Sequence, residues 1–319
     1  MSRPKLERLA RHEDRLDHCI SCGYCYEHCP IYKETRWETD APRAKLALCY
    51  GLITGALEPS EYIAGKLHEC FHCKRCEASC SAGVNLTEIF AAARADLRDL
   101  GYSPAGTVSQ TDHEVCARCL GCVRLCPHEA RSFDPVLGQV VTDPVKCQGC
   151  GSCLDLCPRA GIEIRRSFGT DPRSQLEKVG CYLKEKAPLE PRAVVFSCSW
   201  SNWPGFQAAV GPPGASQRAH ETLVTVCAGR LESRTLLETL KAGAWGLLVT
   251  ACPPDDCEHG GSARARRRVE ALWADLDALG VDRRRIALVE VPKGDAKAFG
   301  AAVSAFLEEV RTLGPLFPL

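Results

Sequence analysis

Several signals are missing from this chain of 319 residues, and each absence closes a class of function. No run of about eighteen apolar residues occurs, so no membrane-spanning helix and no membrane insertion are expected. Lys plus Arg and Asp plus Glu stand at 40 each, a formal net charge of zero. That balance offers no electrostatic reason to bind nucleic acid or an anionic membrane surface. The opening residues, Met1 to Arg8, are charged and carry no apolar secretory core, so a cytoplasmic location is expected. No G-x-G-x-x-G follows a strand pattern, and neither a P-loop nor an assembled catalytic triad can be read.

What is present is cysteine, 22 residues of it. Cys116, Cys119, Cys122 and Cys126-Pro127 are followed by Cys147, Cys150, Cys153 and Cys157-Pro158. Each group spells C-x2-C-x2-C-x3-C-P, the run that holds a [4Fe–4S] cube on four thiolates, its fourth cysteine serving the neighbouring cube. On that rule Cys116, Cys119, Cys122 and Cys157 hold one cube, and Cys147, Cys150, Cys153 and Cys126 hold the other. Val140-Val141 and Ile162–Ile164 read as short strands, and Gly121, Gly149 and Gly151 let backbone approach the sulfides. Disulfides do not suit a chain without a secretory leader, and zinc sites do not add a third cysteine two residues on. This stretch resembles a bacterial two-cluster ferredoxin.

The same run recurs upstream at Cys19, Cys22, Cys25 and Cys29-Pro30, and at Cys70, Cys73, Cys76 and Cys80, where Ser81 stands in place of proline. Between these runs, apolar residues at helical spacing follow Pro42, and Glu61 to Cys70 and Asn85 to Leu100 read as further helices. CISCGYCYEHCP, ETDAPRAKL and HECFHCKRCEASCSAGV together resemble the helical ferredoxin domain of the heterodisulfide-reductase-C family. The pattern is shared with iron–sulfur subunits of glycolate, lactate and anaerobic glycerol-3-phosphate oxidation. The resemblance implies one cube on Cys19, Cys22, Cys25 and Cys80, and another on Cys70, Cys73, Cys76 and Cys29. Relatives that reduce disulfides carry adjacent Cys-Cys pairs; this chain has none, so that chemistry is not expected here.

After a proline-punctuated stretch the pattern changes to alternating strands and helices. Apolar runs at 193–198, 223–227, 246–252 and 285–291 alternate with helical patterns at 232–241, 263–279 and 295–313, which argues for a parallel sheet covered on both faces. Three of these runs end in cysteine, and ligands in open α/β sheets sit beyond the carboxyl ends of strands. Cys198, Cys227 and Cys252 are therefore expected to converge, with Cys257 brought in by the following loop. FSCSW, VTVCAGRLE and GAWGLLVTACPPDDCEHGG resemble the delta subunit of the methyl-viologen-reducing hydrogenase, which implies a [2Fe–2S] cluster on Cys198, Cys227, Cys252 and Cys257. Ser201 stands where that family has a further cysteine. Trp200 and Trp203 read as core or lid, Arg264, Arg266, Arg267 and Arg268 as a solvated face or a docking patch, and Cys49 and Cys181 as non-ligands. His18, His28, His72 and His128 flank ligand cysteines without a ligand role.

The expected architecture is multidomain. A helical ferredoxin domain (1–105) precedes a small α+β two-cluster ferredoxin (106–167), a linker (168–192) and a C-terminal α/β domain with a parallel sheet (193–319). Four [4Fe–4S] clusters and one [2Fe–2S] cluster would take twenty of the cysteines and leave every iron fully coordinated. The chain is then expected to act as an electron-transfer subunit without catalysis of its own. The resemblances imply a heterodisulfide-reductase-type, electron-bifurcating complex. Its partners would be a hydrogenase, formate dehydrogenase or other reductase, and a flavin-containing, heterodisulfide-reductase-A-like subunit. The alternative is a redox enzyme whose C-terminal cluster keeps an open iron.

Overall fold

The N-terminal part is a string of helices, because its apolar residues recur every three to four positions and the cysteine runs break that period. The computed structural model describes residues 6–102, 108–154, 156–164, 172–185, 191–201 and 220–317. The chain divides into two units, Met1–Gly149 with Leu156–Phe168, and Gly169–Leu319 with Cys150–Asp155. Among the described residues no helix is long and apolar enough to cross a membrane.

In the first unit, α1 (Glu7–Ala10), α2 (Glu13–Asp17), α3 (Cys25–His28), α4 (Pro30–Thr35), α5 (Pro42–Thr54), α6 (Glu61–His68) and α7 (Arg75–Ala78) precede α8 (Leu86–Asp99). Pro42 starts α5, where its missing N–H costs nothing, and Gly55 ends it in the left-handed region at φ 74°. Ser60 caps α6 by accepting from the Ile63 N–H at 3.3 Å. Helix α8 presents Ile89, Phe90, Ala93 and Leu97 to Leu9, Leu46, Ile63 and Leu67 in one core. Asp96 on α8 accepts from the free N–H groups of Arg8 and Leu9 at 3.0 and 2.9 Å, fastening α1.

The rest of this unit is a small β framework: β1 (Ser109–Thr111), α9 (Gly121–Arg124), β2 (Arg131–Asp134), β3 (Gln139–Thr142) and β4 (Ile162–Ile164). Strand β1 pairs antiparallel with β4, Ser109 opposite Ile164, and β2 pairs with β3, Arg131 opposite Thr142. The sequence reading found β3 and β4 but not their partners. SQT and RSFD are too short and polar to display a strand period of their own. Among the described residues, Val108, Ala130 and Cys147, with Cys126 against them, form a satellite core here. Small segments with little apolar burial are commonly ordered by an added staple.

The second unit comprises α10 (Pro172–Glu185), β5 (Ala193–Cys198), β6 (His220–Thr225), α11 (Ser233–Lys241), β7 (Gly246–Ala251), α12 (Gly261–Ala278), β8 (Ile286–Glu290) and α13 (Ala296–Leu313). Its four strands are parallel in the order β6-β5-β7-β8. Strands β5 and β7 are buried along their whole length, which is why they read as unbroken apolar runs. Val194, Phe196, Leu247 and Val249 face α10, α11 and α12, while Val195 and Leu248 face Phe299, Val303 and Phe306 of α13. Helix α10 lies in the stretch read as a connector, yet its Val179, Tyr182 and Leu183 belong to this core. Trp203 lies outside the described residues.

Candidate metal centres

All four cysteine runs repeat one backbone device. Two and four residues after the first cysteine, φ is positive: Ser21 and Gly23, His72 and Lys74, Arg118 and Leu120, Gly149 and Gly151. Five of these eight are not glycine, and each such residue costs about 1–2 kcal/mol in the left-handed region. Left-handed residues alternating with right-handed ones can turn successive N–H groups to one side as an anion-binding nest. His72 N–H, for example, donates to Cys70 Sγ at 3.4 Å. Gly121 is not among these positions; it opens α9, and Leu120 holds the left-handed place instead. Strain of this kind persists where something bound in the nest over-determines it.

The crossing of the fourth cysteine has a local cause in the β framework. Strand β1 lies shortly before Cys116 and β4 shortly after Cys157, so their pairing returns Cys157 to the first run. Strands β2 and β3 likewise bring Cys126 back beside Cys147. Asp112 and Asp143 occupy matching places, each accepting from the N–H two residues on and, through its carbonyl, from the first cysteine N–H of the run that follows. This Asp-x3-Cys repeat is visible in the sequence and was passed over. Fourth cysteines also share a bond: Cys80, Cys126 and Cys157 accept from the N–H four residues on, at 3.5, 3.3 and 3.3 Å.

Three cavities are each lined by four of the expected cysteines. One is lined by Cys19, Cys22, Cys25 and Cys80. A second has Cys29, Cys70, Cys73 and Cys76, and a third has Cys116, Cys119, Cys122 and Cys157. Cys126 and Cys147 stand together in the first unit, while Cys150 and Cys153 belong to the second, where both are buried. Burial pushes the thiol of Cys25 up to about 11 and that of Cys73 to about 12. Buried thiols crowded in fours become thiolates only if a cation supplies the missing charge. Among the described residues no trio of His, Cys, Asp or Glu is arranged to hold a single metal ion. The cavities, the inward N–H groups and the all-sulfur donor set fit a larger inorganic body.

The C-terminal site is built differently. Cys198 ends β5, Cys252 follows β7, Cys227 lies just past β6, and Cys257 follows the turn Pro254–Asp256. The four sulfurs form a chain of hydrogen-bonding pairs, Cys198 with Cys252, Cys252 with Cys257 and Cys257 with Cys227. Those bonds lower the pKa of Cys198 and Cys257, while raising that of Cys227 and Cys252. Backbone N–H groups of Trp200 and Ala228 are directed at Cys198, and that of Gly261, at the start of α12, reaches Cys257 Sγ at 3.0 Å. A Cβ on Gly261 would overlap Cys227 Sγ, and one on Gly229 would lie 2.7 Å from Gly261 Cα. These two glycines were missed in the sequence; the Gly260-Gly261 pair after Cys257 was the available signal.

Trp200 is buried, and the Lys293 ammonium sits 4.3 Å from its ring centroid while pairing with Glu258 at 3.3 Å. The arginines of α12 do not form one solvated face. Arg264 donates to the His259 carbonyl at 2.8 Å, Arg266 pairs with Glu290 at 2.6 Å, and Arg268 is buried. Ser201 is buried and its N–H donates to the Cys198 carbonyl at 2.9 Å. Cys49 is fully buried in the helical core, and Cys181 is exposed on α10. His28 is buried, which lowers its pKa to about 4, helped by Arg75 and Lys33.

Residues 193–314 match the family described as methyl-viologen-reducing hydrogenase, delta subunit. The chain is 30% identical over 132 residues, 40% of this chain and 88% of the relative, to a vhc iron–sulfur subunit of an F420-non-reducing hydrogenase from Methanococcus voltae. The chain belongs to the hydrogenase delta-subunit family. Residues 15–84 and 109–158 each match a 4Fe-4S dicluster domain. A ferredoxin:CoB-CoM heterodisulfide reductase subunit from Methanosarcina mazei is 28% identical over 40% of this chain, which spans 16% of that relative. A dihydromethanophenazine:CoB–CoM heterodisulfide reductase subunit from Methanosarcina barkeri is 33% identical over 109 residues, 30% of this chain and 27% of its own length. Iron–sulfur binding N-terminal to a delta-subunit domain is thus the arrangement of the chain.

Proposed function

We propose that this chain is the iron–sulfur electron-transfer subunit of a cytoplasmic, heterodisulfide-reductase-type, flavin-based bifurcating complex. It would connect a hydrogenase, formate dehydrogenase or other reductase to a flavin-containing, heterodisulfide-reductase-A-like subunit. Four [4Fe–4S] clusters would sit on the sets Cys19/Cys22/Cys25/Cys80, Cys29/Cys70/Cys73/Cys76, Cys116/Cys119/Cys122/Cys157 and Cys126/Cys147/Cys150/Cys153. One [2Fe–2S] cluster would sit on Cys198, Cys227, Cys252 and Cys257. When bound, such centres supply one-electron exchange at fixed geometry.

The observation that carries this reading is closure. Each of the three cysteine cavities offers four thiols and no carboxylate, so sulfur alone would complete the metal's coordination and leave no position for a substrate. Two packing features support continuity between centres. In the second unit, Gly151, between Cys150 and Cys153, lies against Arg230, and the turn Ala228–Arg230 directly follows Cys227. In the first unit, α8 reaches both the Cys70 run and the turn before Cys147. Cys22 and Cys119 are exposed, with Ile20, Tyr24 and Leu125 exposed nearby, which supplies apolar exits for partners.

Anaerobic purification of the full chain, with iron and sulfide analysis and EPR after reduction, tests the reading. About eighteen irons with both [4Fe–4S] and [2Fe–2S] signals are expected. Zinc without sulfide, or a cluster spectrum that shifts on adding a small substrate, would overturn it. Capture of a flavoprotein on the tagged chain tests the partner.

A further inference from the structure

Among the described residues, Arg94, Arg75 and Lys45 are the largest fully buried side chains. Burying a guanidinium costs several kcal/mol unless both its hydrogen bonds and its charge are met. Carbonyls meet the hydrogen bonds of Arg94: Nε and Nη2 donate to Leu67 O at 3.0 and 2.5 Å, and Nη2 to Cys70 O at 2.6 Å. Carbonyl dipoles do not cancel a full charge. The carboxylates of the flanking segments are engaged elsewhere, Asp96 of α8 with Arg8 at 3.0 Å and Glu69, just after α6, with Lys66 at 3.4 Å. Among the described residues, the ionisable groups that favour a charged Arg94 are the Cys70 and Cys147 thiols, against the opposing effect of burial.

The scaffold explains how one side chain serves two cysteine runs. Arg98, one turn further along the same face of α8, reaches Asp143 at 3.5 Å. The Asp143 carbonyl accepts from the Cys147 N–H at 3.0 Å. Helix α8 therefore holds Arg94 over the Cys70 carbonyl while Arg98 fastens the turn that carries Cys147.

We propose that Arg94 is a shared counter-cation for the centres ligated through Cys70 and through Cys147, raising the reduction potential of both relative to the other two [4Fe–4S] centres. This rests on the cluster assignment above. Each centre takes one electron from an external reductant and no proton, and Arg94 stays protonated throughout. The added negative charge is stabilised by a cation held in a low-dielectric interior, where Coulomb terms are large.

The test is a potentiometric EPR titration of the anaerobically reconstituted full chain as wild type, Arg94→Gln and Arg94→Lys, each checked for iron and sulfide. In Arg94→Gln, two of the four [4Fe–4S] midpoints should move negative. The reduced-to-oxidised ratio at fixed potential should fall about tenfold, equivalent to about 59 mV for one electron. Arg94→Lys keeps the charge and should shift the same two by less than half as much. Unmoved midpoints in loaded Arg94→Gln, an equal shift of all four, or a shift in Arg94→Lys as large as in Arg94→Gln would overturn the proposal. If Arg94→Gln loads poorly, Arg94→Lys decides alone: near-wild-type midpoints support the charge role, and displaced ones sink it. Wild-type protein without [4Fe–4S] signals would remove the cluster reading itself, and the role of Arg94 with it; intact clusters with unmoved midpoints would remove only the latter.

Discussion

Cys116, Cys119 and Cys122 come from one short segment, whereas Cys198, Cys227 and Cys252 come from the ends of three different strands. The first kind of site carries its instructions locally. Two left-handed residues at fixed offsets bend the chain around the cavity, and the cost is met on the spot by inward N–H groups. The second kind has no local geometry at all; it exists because β5, β6 and β7 are adjacent and parallel. A local site therefore tolerates damage to its surroundings, and a site assembled from strand ends fails with the sheet that assembles it.

The largest effect that separates the two should come from Phe196→Ala in the middle of β5, a fully buried side chain facing the helices. A loss of about 3–5 kcal/mol is expected for the C-terminal unit. It should appear in denaturant unfolding followed by hydrogen exchange of β5 to β8, with the [2Fe–2S] signal lost and the signals of the three [4Fe–4S] centres whose cysteines all lie in the first unit kept. Loss of both kinds of signal together would break the comparison.

A smaller change, Gly261→Ala, should act at the site alone. Its Cβ overlaps Cys227 Sγ, so the sulfur or the start of α12 must move, at about 1–3 kcal/mol. The expected reading is a fall of about two irons in about eighteen, with the sheet still protected in hydrogen exchange. Full iron content in this variant would show that Cys227 is not a ligand.

Arg118→Gly probes the local kind. Arg118 is exposed at φ 54°, where Gly149 stands in the following run. Relief of left-handed strain against the added chain entropy of glycine should leave a net gain below about 1 kcal/mol. Slower loss of the corresponding EPR signal in guanidinium would report it, and faster loss would mean that the run does not depend on that conformation.

The smallest effect is acid. Asp282 caps the turn Arg283–Arg285 and pairs with Arg284, which holds its pKa near 2. A depressed carboxylate stabilises the fold above its unfolded pKa near 3.8 and loses that contribution as pH falls toward 2. Because the pair is exposed, only a few tenths of a kcal/mol are expected. Asp282→Asn should flatten the stability of the C-terminal unit between pH 4 and 2 by that amount, as followed by thermal melts.

The cysteine runs, the helices between them and the alternation of buried strands with amphipathic helices were legible from residue order, because each is a short-range pattern with its own period. Strands β1 and β2 were not, since a three- or four-residue polar segment becomes a strand only when a partner meets it. Gly229 and Gly261 were equally silent: their need arises from a sulfur delivered from elsewhere. Helix α10 was expected only as a helical piece of a connector, because its apolar side chains have no meaning until the sheet edge is beside them.

The residue order by itself determined that sulfur would be gathered in fours, since spacing along a chain limits what a single bend can enclose. Tertiary structure alone decided which cations would be shut in beside those sulfurs. The placement of Arg94 against the Cys70 carbonyl, with Arg98 of the same face against Asp143 before Cys147, depends on how α8 packs, and burial turns an ordinary arginine into a charge that its neighbours cannot ignore.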